Sequence, residues 1–194
     1  MEDLRKGLIR KWARLAMIAV LLALSLSPSL ADVLAGSVVK VSDGDTITVL
    51  DSFKRQHKIR LAGIDDAPEK RQPFGEASRK HLASLISGKS VTVEWTKRDR
   101  YGRIVGKVLH GTADACRAQI EAGLAWHFKR YQQEQTPDDR SAYAQAEVEA
   151  RAERAGLWQD KSPVAPWDWR RLKRADELFQ TSRWQCGASM IATH

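Results

Sequence analysis

The stretch Val41-Ser42-Asp43-Gly44-Asp45-Thr46-Ile47-Thr48-Val49-Leu50 sets two carboxylates around a glycine, then alternates apolar with hydroxylated side chains. Ile47 and Val49 set against Thr46 and Thr48 give a period of two, the pattern of a half-buried strand. The Asp-Gly step between two β-branched runs is a common hairpin signal. A tight turn that aims carboxylates outward also suits a hard cation such as calcium, which takes oxygen ligands. The turn alone does not separate these readings; the residues downstream do.

On the upstream side, Val33 to Val41 is β-branched and apolar and reads as a strand. On the downstream side, Asp51-Ser52 is a turn, and His57 to Ile64 gives a third strand in which Ile59, Leu61 and Gly63 alternate with Lys58, Arg60 and Ala62. Three strands joined by short turns make a meander. It ends at Asp65-Asp66-Ala67-Pro68-Glu69, three carboxylates with a proline that stops pairing and stiffens the loop. Arg60 lies just before it. An arginine beside clustered acids, in a chain that also has Asp43 and Asp45, suggests a phosphate-and-metal site. The alternative is a solvated acidic loop with a surface ion pair of little energetic consequence.

Further along, Pro73 to Ile86 predicts a helix with Leu82, Leu85 and Ile86 on one stripe and Gly88 at its stop. Ser90 to Trp95 and Ile104 to Leu109 read as the fourth and fifth strands. Between them lies the basic turn Lys97-Arg98-Asp99-Arg100-Tyr101-Gly102-Arg103, which can hold a phosphate while its ring contacts a base or sugar. A short helix over Ala113 to Ala122 ends at Gly123. Thr136-Pro137-Asp138-Asp139 is a strong helix start, with a cap, a proline at the first position and acids in the first turn. That helix is expected to run to about Ala155, with Ala142, Ala146 and Ala150 on one side; Leu157 and Trp158 then fold back onto the core. The order of elements predicts an α+β fold, a five-stranded β-barrel of the oligonucleotide-binding (OB-fold) type with about three helices.

The chain has 194 residues and a net charge of +8, which favours a polyanionic partner. Residues 1–31 read as a signal peptide. Arg5, Lys6, Arg10, Lys11 and Arg14 form a basic region, Leu15 to Leu26 a short apolar run, and Ser29-Leu30-Ala31 a small-residue cleavage site. Export to the periplasm or outside the cell is therefore expected, with an uncleaved membrane anchor as the alternative. The apolar run falls short of the roughly 20 residues that a comfortable span needs. Cys116 and Cys186 lack metal-site spacing, and the five histidines are scattered, so neither type marks a metal centre. In an oxidising compartment the two cysteines could pair.

Taken together, the blocks Asp43-Gly44-Asp45-Thr46, Ile59-Arg60-Leu61-Ala62-Gly63-Ile64, Ala67-Pro68-Glu69, Asp99-Arg100-Tyr101-Gly102-Arg103, Gly123-Leu124-Ala125 and Gly156-Leu157-Trp158 resemble the staphylococcal nuclease (thermonuclease-like) family. The resemblance spans about residues 33–158, and its specificity lies in the order of the blocks. It implies a calcium-dependent phosphodiesterase acting on DNA and RNA. By the same resemblance Asp45 is one metal ligand and an aspartate of the Asp-x-Pro-Glu block is another, with the following residue, Ala67, lending its carbonyl. Glu69 matches the general base, Arg60 and Arg103 the phosphate-binding arginines, and Arg100, Tyr101 and Tyr131 the nucleotide pocket. Lys129 stands where the family has a further pocket tyrosine. No obligate protein partner is evident, and a monomer is expected.

One departure bears on the metal. The family usually has eight steps from the first arginine to the glutamate, whereas Arg60 to Glu69 is nine. Counting forward from Arg60 makes Asp65 the ligand; counting back from Pro68 makes it Asp66. A one-residue slip reverses the face of a strand residue, unless a bulge absorbs it. Because the proline-fixed turn couples the ligand to Glu69, Asp66 is favoured over Asp65. The insertion keeps open a second reading, a nucleic-acid-binding barrel with weak or lost catalysis. A third is an envelope interaction protein that uses the barrel as a scaffold.

Residues 159–194 form a basic extension containing tryptophans. Trp169, Leu172, Leu178 and Phe179 could share one face of a helix that also carries Arg170, Arg171, Lys173 and Arg174. Such a helix either docks on the barrel or adds a contact to nucleic acid or anionic lipid.

Overall fold

Antiparallel pairing of Asp32–Val41 (β1) with Thr46–Leu50 (β2), and of β2 with Gln56–Leu61 (β3), makes the predicted meander. The computed structural model describes residues 32–65, 72–175 and 177, with only the backbone of Asp65. Contacts divide the chain into Met1–Ala31 and Asp32–His194, and all described residues belong to the second unit.

β1 also pairs with Ser90–Arg98 (β5), and β5 with Ile104–His110 (β6). The sheet closes because β6 runs parallel to β3, with Ile59 opposite Ile104 and Leu61 opposite Gly106. The result is a closed five-stranded mixed barrel with its helices outside the strands, as the order of elements predicts. Register shifts between Val38 and Lys40 in β1, and between Trp95 and Lys97 in β5, bend the sheet into closure. Alternate residues fill the interior: Ile47, Val49, Ile59, Leu61, Val93 and Val108 are all fully buried.

β3 departs from the expected His57–Ile64 strand. It stops at Leu61, because Gly63 adopts φ +72° and a side chain there would meet Gln135 and Tyr143. Ile64–Asp65 (β4) peels away to pair with Trp126–His127 (β8), while the Gly63 carbonyl accepts the Phe128 N–H at 2.9 Å. Two-residue strands of this kind carry no periodicity that a sequence reading can detect.

Helix α1 (Gly75–Ile86) buries Ser78, Leu82 and Ile86 against the barrel. The dipeptide Ala113–Asp114 (β7) pairs with the end of β6 and leads into α2 (Ala115–Glu121). The Asp114 carboxylate caps α2 by accepting the N–H groups of Cys116 (2.8 Å) and Arg117 (3.2 Å). It also accepts the Tyr143 hydroxyl at 2.6 Å, which ties α2 to α3 (Pro137–Ala152). Cys116 is a fully buried free thiol, pushed well above its usual pKa by burial and then by the Asp114 charge; Cys186 lies outside the described residues. The Thr136 hydroxyl caps α3 through the Asp139 N–H at 3.1 Å, and α3 stops at Ala152 rather than Ala155.

The motif glycines Gly123 and Gly156 meet. Both have positive φ (+63° and +52°), the Leu157 N–H donates to the Gly123 carbonyl at 2.8 Å, and a Cβ on either would strike the other segment's backbone. This contact folds Leu157 and Trp158 back onto Ala150, Phe74 and Trp126.

Beyond Trp158 the chain continues into a helix over residues 166–175. Trp169 and Val164 line a cavity of about 50 Å³ together with Gln72, Phe74, Trp126 and Leu157, and the Gln72 side-chain amide donates to the Val164 carbonyl at 2.6 Å. The start of the basic extension thus docks beside β8. Leu172 stays 55% exposed, so the expected apolar face of Trp169 and Leu172 is not buried as a unit; Leu178 and Phe179 lie outside the described residues.

Candidate active site

The Ser42–Thr46 turn is fixed from three sides. Its ends are joined by the Ser42 N–H donating to the Thr46 carbonyl (2.9 Å). The Asp45 carbonyl accepts the Leu61 N–H of β3 at 2.8 Å. From beneath, the buried Gln119 amide of α2 donates to the Gly44 carbonyl at 2.8 Å.

The Asp45 carboxylate is only 4% exposed. One oxygen accepts the Thr46 hydroxyl at 2.6 Å. The other lies 3.0 Å from Arg60 Nη1 as an ion pair, yet accepts no aligned hydrogen bond from the described residues. Asp43 sits alongside and accepts the Asp45 N–H at 3.1 Å. Burial, and next the Asp45 charge, push the Asp43 carboxyl up to about 6. Two carboxylates two residues apart, one resisting ionisation, form an electrostatic environment that a cation relieves.

Arg60 and Arg103 converge on this turn. Arg60 stands opposite Thr46 in the β2–β3 ladder. Arg103, just before β6, reaches Thr46 Oγ1 with Nη1 at 3.4 Å while its Nε donates to Asp99 at 2.7 Å. Asp99 also accepts the N–H groups of Tyr101 (2.9 Å) and Arg103 (3.0 Å), so it both shapes the turn and orients the guanidinium. Burial opposes ionisation of Asp99, but the Arg103 side chain and these N–H groups together hold its carboxyl below the usual value. The continuous string is Arg60, Asp45, Thr46, Arg103, Asp99. Both arginine side chains remain about one-fifth exposed (18% and 22%), so both guanidiniums are within reach of an anion at the surface.

Cross-strand register extends the same face. Thr46 opposes Arg60, Arg60 opposes Val105, and Val105 opposes Lys97. Lys97 sits 5.0 Å from the Tyr131 ring and pairs with Glu134. Tyr131, 46% exposed, projects from the 3-10 turn Lys129–Glu134 and packs on Phe128 at 4.9 Å. Tyr101 is 68% exposed beside Arg100, whose Nη2 donates to its hydroxyl at 2.7 Å, and the Arg103 guanidinium lies 5.6 Å from its ring. Tyr101 therefore flanks the arginines, and Tyr131 marks the Lys97 end of the row.

Asp45, Arg60 and Arg103 are thus brought together, with Arg100 and Tyr101 beside Arg103 and Tyr131 further along. Asp66, Ala67 and Glu69 lie outside the described residues, as does the Asp65 side chain. Among the described residues there is no cluster of three or more His, Cys, Asp or Glu able to hold a metal. Lys129 does not take the place of a pocket ring: its ammonium pairs at 2.9 Å with Glu147, a carboxylate of α3 that is 2% exposed. Sequence reasoning names Asp99 within its block but gives it no role, although an aspartate two residues before a turn N–H is a known side-chain turn signal. It places Lys97 in the basic turn but misses Gln119, and a single buried glutamine on a seven-residue helix leaves no pattern.

The chain is similar to several known proteins. The family model for staphylococcal nuclease homologues matches residues 58–160. A protein of Escherichia coli named an uncharacterized endonuclease is 42% identical over 147 residues, covering 75% of this chain and 91% of the relative. One of the same name from Haemophilus influenzae is 36% identical over 156 residues, covering 80% and 84%. A probable staphylococcal-like nuclease of Oryza sativa is 39% identical over 137 residues, which is 71% of this chain but 34% of that larger protein.

Proposed function

As the chain belongs to the staphylococcal nuclease family, we propose that it is a nuclease that hydrolyses phosphodiester bonds of DNA and RNA with calcium at Asp45. The observation that carries this reading is the pair of guanidiniums, Arg60 and Arg103, on either side of the buried Asp45–Thr46 pair. A phosphodiester resists attack because its oxygens are negative. Two forked donors, one paired with Asp45 and the other reaching Thr46, are suited to grip such a group and to bind its more highly charged transition state more tightly still.

Asp45 fits a hard cation, since one of its buried oxygens lacks a hydrogen bond from the described residues and its neighbour Asp43 resists ionisation. Asp45, with Asp66 (or Asp65) and the Ala67 carbonyl, would hold calcium. When bound, the ion would supply charge neutralisation at a phosphate oxygen. Glu69 would orient or deprotonate the attacking water. Tyr101 and Arg100 would contact the nucleotide beside the scissile phosphate, and Tyr131 the strand further along.

The first thirty-one residues support export to the periplasm or beyond, as a basic region followed by a short apolar run. A monomer suffices for this chemistry, because every proposed site residue comes from one chain.

The test is cleavage of single-stranded DNA by the purified protein with calcium, then with a chelator. Cleavage abolished by the chelator supports the reading. Retention of DNA without cleavage would instead assign the fold to nucleic-acid binding alone.

A further inference from the structure

The family match ends at residue 160, but the row of exposed rings does not. Phe128 packs on Tyr131 at 4.9 Å on one side and stacks with Trp167 at 6.5 Å, interplanar angle 27°, on the other. Trp167 is anchored from behind by Trp126 at 5.6 Å, and Trp126 in turn by Trp158 at 4.4 Å. Yet Trp167 keeps 41% of its surface exposed, and Tyr131 keeps 46%. A core would not leave two large rings half open on either side of a third. A surface that stacks bases would.

Charge on the two flanks matches that use. Lys97 lies over Tyr131 at one end, with Glu134 as its partner. At the other end the helix over 166–175 presents Lys173 and Arg174 to solvent, along with Arg171, which pairs at 3.1 Å with Asp168. We propose that Trp167 and the exposed Lys173 and Arg174 of this helix form a second, non-catalytic subsite for single-stranded nucleic acid, continuous with the cleavage site through Phe128 and Tyr131. Bases stack on Tyr131 and Trp167 while Lys173 and Arg174 hold phosphates. Such a platform is tolerant of sequence, because every base has a π-face. The subsite gives the protein a preference for long single strands over short ones, and it rests on the nucleic-acid reading above.

The test uses the full chain in chelator, so that binding is read without cleavage. Fluorescence anisotropy measures the Kd of a labelled 15-nucleotide single strand and of a dinucleotide. Trp167→Leu keeps an apolar group against Trp126 but removes the stack. It should raise the Kd of the 15-mer roughly tenfold and change that of the dinucleotide less than about twofold. The double variant Lys173→Ala, Arg174→Ala, at exposed positions, should lower the salt slope of 15-mer binding by about 0.7 per charge removed. Equal loss on long and short strands overturns the proposal, as does unchanged binding with a lower melting temperature. Loss of binding to phosphatidylserine vesicles with no loss on the strand assigns the face to lipid and overturns it too. Because no cleavage is needed, a protein that binds strands through Trp167 but never cuts them separates this inference from the catalytic one.

Discussion

The side-chain amide of Gln119 donates to the main-chain carbonyl of Gly44 at 2.8 Å, 75 residues away in sequence. The same nitrogen lies 3.0 Å from Ser78 Oγ, and the Gln119 carbonyl oxygen lies 2.5 Å from His81 Nδ1. Gly44 separates Asp43 from Asp45, so two helices, α1 and α2, fix the turn that carries the carboxylates. Gln119→Leu leaves this buried carbonyl unpaired, which costs about 1–3 kcal/mol of stability. We expect calcium affinity, measured by titration calorimetry, to fall at least fivefold as well. Unchanged affinity in a protein that merely melts lower would restrict Gln119 to a structural role.

Arg103 spans Asp99 and Thr46 with two different nitrogens. Lysine has one, and it is a point charge rather than a fork. Arg103→Lys and Arg60→Lys should therefore each lower kcat by about 10²–10³, the scale of losing a preorganised donor to a developing charge. Single-turnover cleavage beside a melting curve checks this. Activity within a fewfold of wild type in either variant would remove that arginine from the mechanism.

The contact between Gly123 and Gly156 predicts a stability defect remote from the chemistry. Gly123→Ala places a methyl group against the Ala155 backbone at φ +63°. The combined strain and clash should cost about 2–4 kcal/mol, read as a lower midpoint in urea with the m-value unchanged. Wild-type stability would mean that the two segments separate without consequence.

Asp99 makes the acid limb of stability specific. Its carboxyl is held below the ordinary value of 3.8 against the opposing effect of burial, chiefly by the Arg103 side chain. The stabilisation is therefore present above the unfolded value and is lost as pH falls through the lower folded one. Asp99→Asn should flatten the fall in melting temperature below about pH 4 relative to wild type. Parallel acid limbs for the two proteins would contradict this.

The barrel was legible because five runs of alternating residues, each bounded by turn signals, leave little choice of architecture. Arg60, Asp45 and Arg103 were legible as types, since their blocks fall at strand ends. Their convergence was not, because it depends on β6 lying parallel to β3 and closing the sheet, a pairing between segments more than 40 residues apart. The break at Gly63 arises from Gln135 and Tyr143, which belong to a distant turn and helix. Lys129 reads as a substituted pocket residue in sequence, but in the fold it neutralises Glu147, which nothing local announces. The docking of Trp167 and Trp169 depends on tertiary contacts with Trp126 and Gln72–Phe74 that no periodicity encodes.

The most direct test of the proposed chemistry is to compare wild type with Glu69→Gln, measuring cleavage of single-stranded DNA and calcium-dependent nucleotide binding on the same preparations. We predict that wild-type cleavage needs calcium, and that Glu69→Gln loses turnover by orders of magnitude while keeping most of its binding. Absence of cleavage by folded wild type, or equal loss of cleavage and binding in the variant, would contradict the assignment of Glu69 as base in a calcium-dependent nuclease.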